Sequence, residues 1–197
     1  MRDAKQTRDT ILARAAPLFN KKGYTGVSIS DVMEATGLQK GGIYNHFESK
    51  EQLALAVFDY ALRRVRRRFV KALLGKQTAV ERLMAILSVM QRYVTDPPVA
   101  GGCPVQNTAV DSDDAHPALR ARARQGMDEL QDYIRQTLEH GVAQGELRAD
   151  IDPDEVASVF LATLEGALML SKLYDDSAHM DRAVAHLTQY IERQLRR

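Results

Sequence analysis

Ser28-Ile29-Ser30-Asp31-Val32-Met33-Glu34-Ala35-Thr36-Gly37-Leu38-Gln39-Lys40-Gly41-Gly42-Ile43-Tyr44-Asn45-His46-Phe47 is the stretch whose reading decides the fold. Ser28 with Asp31 three residues on is a variant of the capping box that opens a helix. Val32, Met33 and Ala35 give that helix an apolar face, and Gly37 supplies the left-handed residue that ends it. A second short helix is predicted from about Gln39 to Phe47. Two short helices joined by a glycine-containing turn describe a helix-turn-helix. Val32, Ala35, Leu38, Ile43 and Phe47 can face inward and fix the angle between the helices, Ala35 being small where they cross. Gln39, Lys40, Gly42, Tyr44, Asn45 and His46 then point outward. Amide and ammonium groups suit base edges in a major groove, while phenol and imidazole suit phosphates. A generic helical hairpin also has a polar outer face, so spacing alone leaves a pure packing role open.

Working outward, Ile11, Leu12, Ala15, Leu18 and Phe19 recur at helical spacing upstream, until Gly23 stops the stripe. Downstream, Ser49 caps a long helix from Lys50 to about Leu74. Further helices are predicted at about 77–95, 104–111, 116–144, 153–174 and 179–196. Asp96-Pro97-Pro98, Gly101-Gly102, His116-Pro117, Gly145 and Asp152-Pro153 separate them. The expected fold is all-α with about nine helices. A three-helix helix-turn-helix domain at 1–50, with motif helices at about 28–47, precedes a larger helical domain at 51–197.

The net charge of +1 over 197 residues conceals an asymmetry. Residues 1–75 carry fourteen Lys/Arg against seven Asp/Glu, and residues 76–197 carry thirteen against nineteen. A basic first third beside an acidic remainder fits a first third that meets a polyanion; chance clustering of solvated charge is the bland alternative. The five arginines at 63, 64, 66, 67 and 68 spread around their helix, either as a solvated stretch or as an electrostatic aid in drawing DNA. One cysteine excludes a disulfide scaffold, and 45% apolar residues exclude disorder of the whole. The opening MRDAKQTRDT has no apolar secretory segment, and the run Val156–Leu170, interrupted by Glu165, is too short to span a bilayer. A cytoplasmic protein without membrane contact is therefore expected. His46, His116, His140, His179 and His186 show no metal spacing. Nucleophile elbow, phosphate-binding glycine loop and dinucleotide fingerprint are missing too, so no metal, cofactor or enzymatic activity is expected.

The pattern Thr7-Arg8, Ile11-Leu12, Ala15, Leu18-Phe19, Gly23-Tyr24, Ser28-Ile29-Ser30-Asp31-Val32, Gly37-Leu38, Lys40-Gly41, Ile43-Tyr44, His46-Phe47, Ser49-Lys50-Glu51 and Leu53 runs through nearly the first sixty residues. It resembles the tetracycline-repressor (TetR) family of bacterial transcriptional regulators. The resemblance implies a dimeric repressor on double-stranded operator DNA, released by a small-molecule or electrophile effector. It implies phosphate and groove contacts for Lys40, Tyr44, His46 and Lys50, with Gly41 in the same pattern. Gln39, Gly42 and Asn45 fall where the family varies and are expected to set the operator sequence. Gly42 departs from the family's usual Ser or Thr and permits closer backbone approach; Asn45 departs from a frequent His or Tyr. Ser28 can bind phosphate through its hydroxyl and its helix N-terminus. The alternative is a helical small-molecule-binding protein with a vestigial helix-turn-helix, against which the retained Lys40, Tyr44 and Lys50 speak.

Residues 156–170, VASVFLATLEGALML, are apolar on nearly all sides and need cover on both faces, either one from their own core and one from a second copy, or both from within the chain as a completely internal helix. Ala157, Ala162, Gly166 and Ala167 permit close helix approach, and Ala183, Leu187, Tyr190, Ile191 and Leu195 form a stripe on the last helix. The resemblance likewise implies a homodimer through the last two helices. Glu165 is either a contact to the effector or a paired group at the dimer seam. Apolar faces around Tyr93 and Phe160 are candidates for an effector pocket. Cys103, in Gly101-Gly102-Cys103-Pro104, reads as a small buried residue or as a thiol activated by a helix N-terminus. Its segment resembles a branch of the family that includes thiol-based sensors, where a lysine on the penultimate helix approaches the cysteine; Lys172 stands at that place.

Overall fold

The helix ends follow the local capping signals. A computed structural model of the chain describes residues 2–112 and 116–197. Its helices are α1 (Arg2–Gly26), α2 (Ile29–Thr36), α3 (Lys40–Tyr44), α4 (Lys50–Leu73), α5 (Ala79–Arg92), α6 (Pro104–Ser112), α7 (Pro117–Ala143), α8 (Pro153–Tyr174) and α9 (Ala178–Tyr190). A π-helical turn, Ile191–Leu195, prolongs α9. The fold is all-α, and the described residues contain no strand beyond one isolated bridge between Leu147 and Arg196. Ser28 caps α2 as its pattern predicts: Asp31 N donates to Ser28 Oγ at 3.1 Å, and Ser28 N donates to the Asp31 carboxylate at 2.7 Å. Gly37 closes α2 with φ 73°, its N–H donating to Met33 O at 2.8 Å. Asp152 caps α8 by accepting from the amides of Asp154 and Glu155, with Pro153 in the first turn.

Two elements differ from the sequence-based expectation. The helix predicted to reach Phe47 stops at Tyr44, and Asn45 to Phe47 continue as a turn in which His46 N and Phe47 N both donate to Ile43 O. Gly41 and Gly42 fill two of the five α3 positions, and glycine resists helix by roughly 1 kcal/mol relative to alanine. The apolar run expected to be too short for a bilayer lies within α8, whose 22 residues include an 18-residue window of mean hydropathy 1.5. By length and composition alone α8 could span a membrane; half of that window is buried inside the protein, as in a core helix.

Contacts divide the described residues into two compact units. The first comprises those up to Val65 together with Pro98–Gly126; the second comprises Arg66–Pro97 with Met127–Arg197. In the first, Ile11, Leu12 and Ala15 of α1 join Val32, Ile43, Phe47, Leu53 and Val57 in one core, with Val99 on it. Each buried Val, Leu, Ile or Phe among them contributes about 1.5–3 kcal/mol. Residues 98–112 are tied to α1 by a polar knot. The Asn20 side-chain amide lies 3.3, 3.2 and 3.1 Å from the carbonyl oxygens of Val99, Ala100 and Gly102. Asn107 Nδ2 donates back to Asn20 O at 2.9 Å and lies 2.9 Å from Gly101 O. In the second unit α8 packs on α9 and α5 packs against both. Phe160, Leu164, Leu168, Leu187 and Ile191 are buried there, and the Glu146 carboxylate accepts from the first amides of α5, Ala79 N and Val80 N.

Candidate nucleic-acid interface

Val32, Ile43 and Phe47 are buried and lock α2 against α3, with Ala35 and Leu38 half-buried beside them. The Arg8 guanidinium lies 5.0 Å from the centre of the Phe47 ring. With that side fixed, Gln39, Lys40, Gly41, Tyr44 and Asn45 are exposed and Gly42 and His46 half-buried. These residues occupy one short segment, a compact polar face of amide, ammonium, phenol and imidazole groups. Lys40 Nζ lies 5.9 Å from the Tyr44 ring. A Cβ on Gly42 would meet only Leu38, at 3.6 Å, and one on Gly41 nothing within 4 Å. Packing therefore does not demand glycine at either position.

Ser28 is placed at the N-terminus of α2, but its hydroxyl is engaged inside the capping box, donating to the Asp31 carboxylate while accepting from Asp31 N. Lys22, which the sequence pattern did not single out, brings its ammonium 2.7 Å from Asp31 Oδ1. The Lys22 hydrogen bond, then those from the Ser28 hydroxyl and amide, hold the Asp31 carboxyl well below the usual carboxylate range. A carboxyl depressed in the folded state stabilises above its unfolded pKa, and that contribution disappears as pH falls through the depressed value. Asp31→Asn is thus expected to lower the melting temperature at neutral pH, with the gap to the parent closing in strong acid. Identical melting curves at pH 7 would show that the charge contributes nothing.

Lys50 opens α4, half-buried, with Nζ 4.4 Å from the Tyr24 ring, and Ser49 Oγ caps the helix by accepting from Gln52 N at 3.1 Å. In the arginine run, Arg64 Nε donates to Pro98 O at 2.8 Å, Arg66 Nε donates to Glu129 at 2.8 Å, and Arg68 pairs with Asp96. Three of the five arginines are therefore engaged by other groups of the protein, although Arg64 and Arg66, like Arg63 and Arg67, are exposed.

The effector candidates divide between the units. Cys103, 5% exposed, is the residue before α6 in the first unit, its carbonyl accepting from Asn107 N. Tyr93, Phe160 and Glu165 are buried in the second unit, and Lys172 is exposed near the end of α8. On α8, Ala157 and Ala167 turn into their own core, while Val159, Ala162, Gly166, Met169 and Leu173 line the other side at alternating spacings of three and four. Val159 is 55%, Met169 51% and Leu173 70% exposed. On the last helix Leu187, Ile191 and Leu195 are buried within the unit, with Ala183 and Tyr190 half-buried.

Two family models match the chain: "Bacterial regulatory proteins, tetR family" over residues 11–57, and "Tetracyclin repressor-like, C-terminal domain" over residues 79–187. The crystal structure of a TetR transcriptional regulator from Chloroflexus aurantiacus J-10-FL superposes with a TM-score of 0.97 at 48% identity, covering 100% of this chain and 99% of that one. An HTH-type transcriptional regulator from the lacX 3′ region of Lactococcus lactis subsp. lactis is 28% identical over 173 residues, 87% of this chain and 86% of that protein. The HTH-type transcriptional repressor NemR of Escherichia coli K12 is 23% identical over 186 residues, 94% of each. With α2 and α3 as its helix-turn-helix, the chain belongs to the TetR family and is a DNA-binding transcriptional regulator.

Proposed function

We propose that the protein is a homodimeric cytoplasmic repressor that binds double-stranded operator DNA through α2 and α3 and leaves it when a small molecule occupies the second unit. The observation that carries this reading is the exposed face of Gln39, Lys40, Tyr44 and Asn45 over the buried lock of Val32, Ile43 and Phe47. Dimerisation rests on the exposed apolar stripe of α8, whose heptad-like spacing suits a helix seam with a second copy, α9 flanking it. Two linked reading heads then meet half-sites one helical turn, or a multiple of it, apart. For the effector, Tyr93, Phe160 and Glu165, all buried in the second unit, are the candidate contacts in this reading. Cys103 and Lys172 take lesser parts in this reading: the thiol is sealed at the start of α6, whereas reactive cysteines are partly exposed.

An electrophoretic shift on the DNA flanking the protein's own gene tests the proposal. A retarded band released by an effector supports it. No band at low salt and micromolar protein would overturn it in favour of a small-molecule-binding protein with a vestigial helix-turn-helix.

A division of labour within the interface follows. Lys50, at the N-terminus of α4, grips phosphate together with that helix end, and Lys50→Ala is expected to weaken operator and random DNA alike. The salt slope should fall by about one unit per protomer. Asn45 presents a donor and an acceptor side by side, the arrangement that adenine's major-groove edge accepts. Asn45→Ala is expected to cost roughly 1–3 kcal/mol at the operator and to leave random DNA and its salt slope nearly unchanged. Equal losses on both DNAs in a binding titration would show that Asn45 grips the backbone instead.

A further inference from the structure

Tyr24 lies in the last residues of α1, just after the kink at Gly23, and groups from three other parts of the first unit converge on it. Its N–H donates to Asp111 Oδ2 at 2.7 Å, in the last turn of α6. Its ring meets the His116 ring, just ahead of α7, with centroids 3.9 Å apart and planes at 63°. The Lys50 ammonium, from the first turn of α4, lies 4.4 Å from the ring centre. The Asp111 carboxylate comes so close that a Cβ on Gly23 would lie 2.2 Å from its Oδ1.

We infer that Tyr24 is a positioning residue for Lys50, and that Asp111 and His116 position Tyr24. A lysine side chain loses rotamer freedom when its ammonium is fixed on a phosphate. Resting that ammonium on an aromatic face before DNA arrives removes part of the loss, and attraction to the ring supplies about 0.5–1 kcal/mol at an exposed site. Three N–H donors let one ammonium touch the ring and a phosphate together. Asp111 fixes the Tyr24 backbone and His116 its ring, so residues about ninety positions away in sequence set a contact of the reading head. The inference rests on the reading of Lys50 as a phosphate contact.

The test uses the full chain and a fluorescent random-sequence duplex, titrated by anisotropy at several salt concentrations, with folding followed by thermal melting. Tyr24→Leu is expected to weaken binding about two- to fivefold, the size of a surface cation–π contact. Tyr24→Phe, which keeps the ring, should restore parental affinity. In a Lys50→Ala background Tyr24→Leu should add nothing; an undiminished loss there would overturn the inference while leaving Lys50 as a phosphate contact. If Lys50→Ala alone changes neither affinity nor salt slope, the phosphate reading itself is wrong and the inference falls with it. A second measurement does not depend on how the variants fold. In the parent protein the ε-methylene protons of Lys50, assigned by their loss in Lys50→Ala, should be shifted upfield by the ring current of Tyr24. An ordinary lysine shift would overturn the inference.

Discussion

Gly166→Arg is expected to give a folded monomer that no longer binds its operator. Within one chain a Cβ at Gly166 meets nothing within 4 Å, so a side chain can leave the backbone there without clash. Replacing a mid-helix glycine also favours the helix by roughly 0.5–1 kcal/mol, and the isolated chain should melt no lower than the parent. The damage falls on assembly. Gly166, half-buried, sits in the stripe between Ala162 and Met169, where in the proposed dimer two copies of α8 approach closely only over small residues. On that seam an arginine would bury a charge without a partner, a penalty on the order of 3–5 kcal/mol, enough to weaken the dimer by about a hundred- to a few-thousand-fold. Because two half-sites need two joined reading heads, operator binding should disappear although α2 and α3 are untouched. Analytical ultracentrifugation reads the mass and a gel shift reads the DNA. A variant that sediments as a dimer would place the interface elsewhere.

Gly23→Ala is expected to be the most damaging single methyl group in the first unit. Gly23 has φ 71° and ψ 177°, a region essentially closed to residues with a Cβ, which costs about 1–3 kcal/mol. The added methyl also displaces the Asp111 carboxylate and with it the bond to Tyr24 N, a charge-assisted contact of about 1.5–3 kcal/mol. Together these remove about 2.5–6 kcal/mol from a stability that is typically about 5–15 kcal/mol. Urea denaturation of the full chain should show the loss directly. Pairing Gly23→Ala with Asp111→Ala separates the two causes, since the double variant keeps the backbone strain and lacks the collision. An unchanged midpoint for Gly23→Ala alone would mean that the chain relaxes around the methyl, contrary to this account.

Helix ends were legible in the sequence because their signals act over three or four residues. Ser28 with Asp31, Gly37, and Asp152 with Pro153 each carry their meaning locally, and the structure uses each one. The length of α3 was less legible, since two adjacent glycines weaken a helix whose continuation is decided by how Phe47 packs. The polar face at residues 39–46 was visible because the inward positions are apolar and leave the others no alternative. On α8 the direction of each face was hidden: Ala157, Ala162, Gly166 and Ala167 are alike as sequence, and tertiary packing alone turns two inward. The pairings of Lys22, Tyr24, Asp111 and His116 escaped for a different reason. Lys22 acts across nine residues and Asp111 across eighty-seven, and periodicity says nothing about such pairings.

The knot of Asn20 with Asn107 bears on how regulators of this kind can be recombined. A chimera that exchanges reading heads by cutting after residue 57, where the N-terminal family match ends, would keep the donor's Asn20, Gly23 and Tyr24 and inherit the recipient's loop and α6. The Asn20 amide would face foreign carbonyls, and the Gly23 backbone would lose the carboxylate that its bare Cα admits. The portable cassette is two separate pieces of chain, residues up to 65 and residues 98–126, which must be grafted together. By the same contacts, positions 20 and 107, and positions 23 and 111, have to be exchanged together in any such graft.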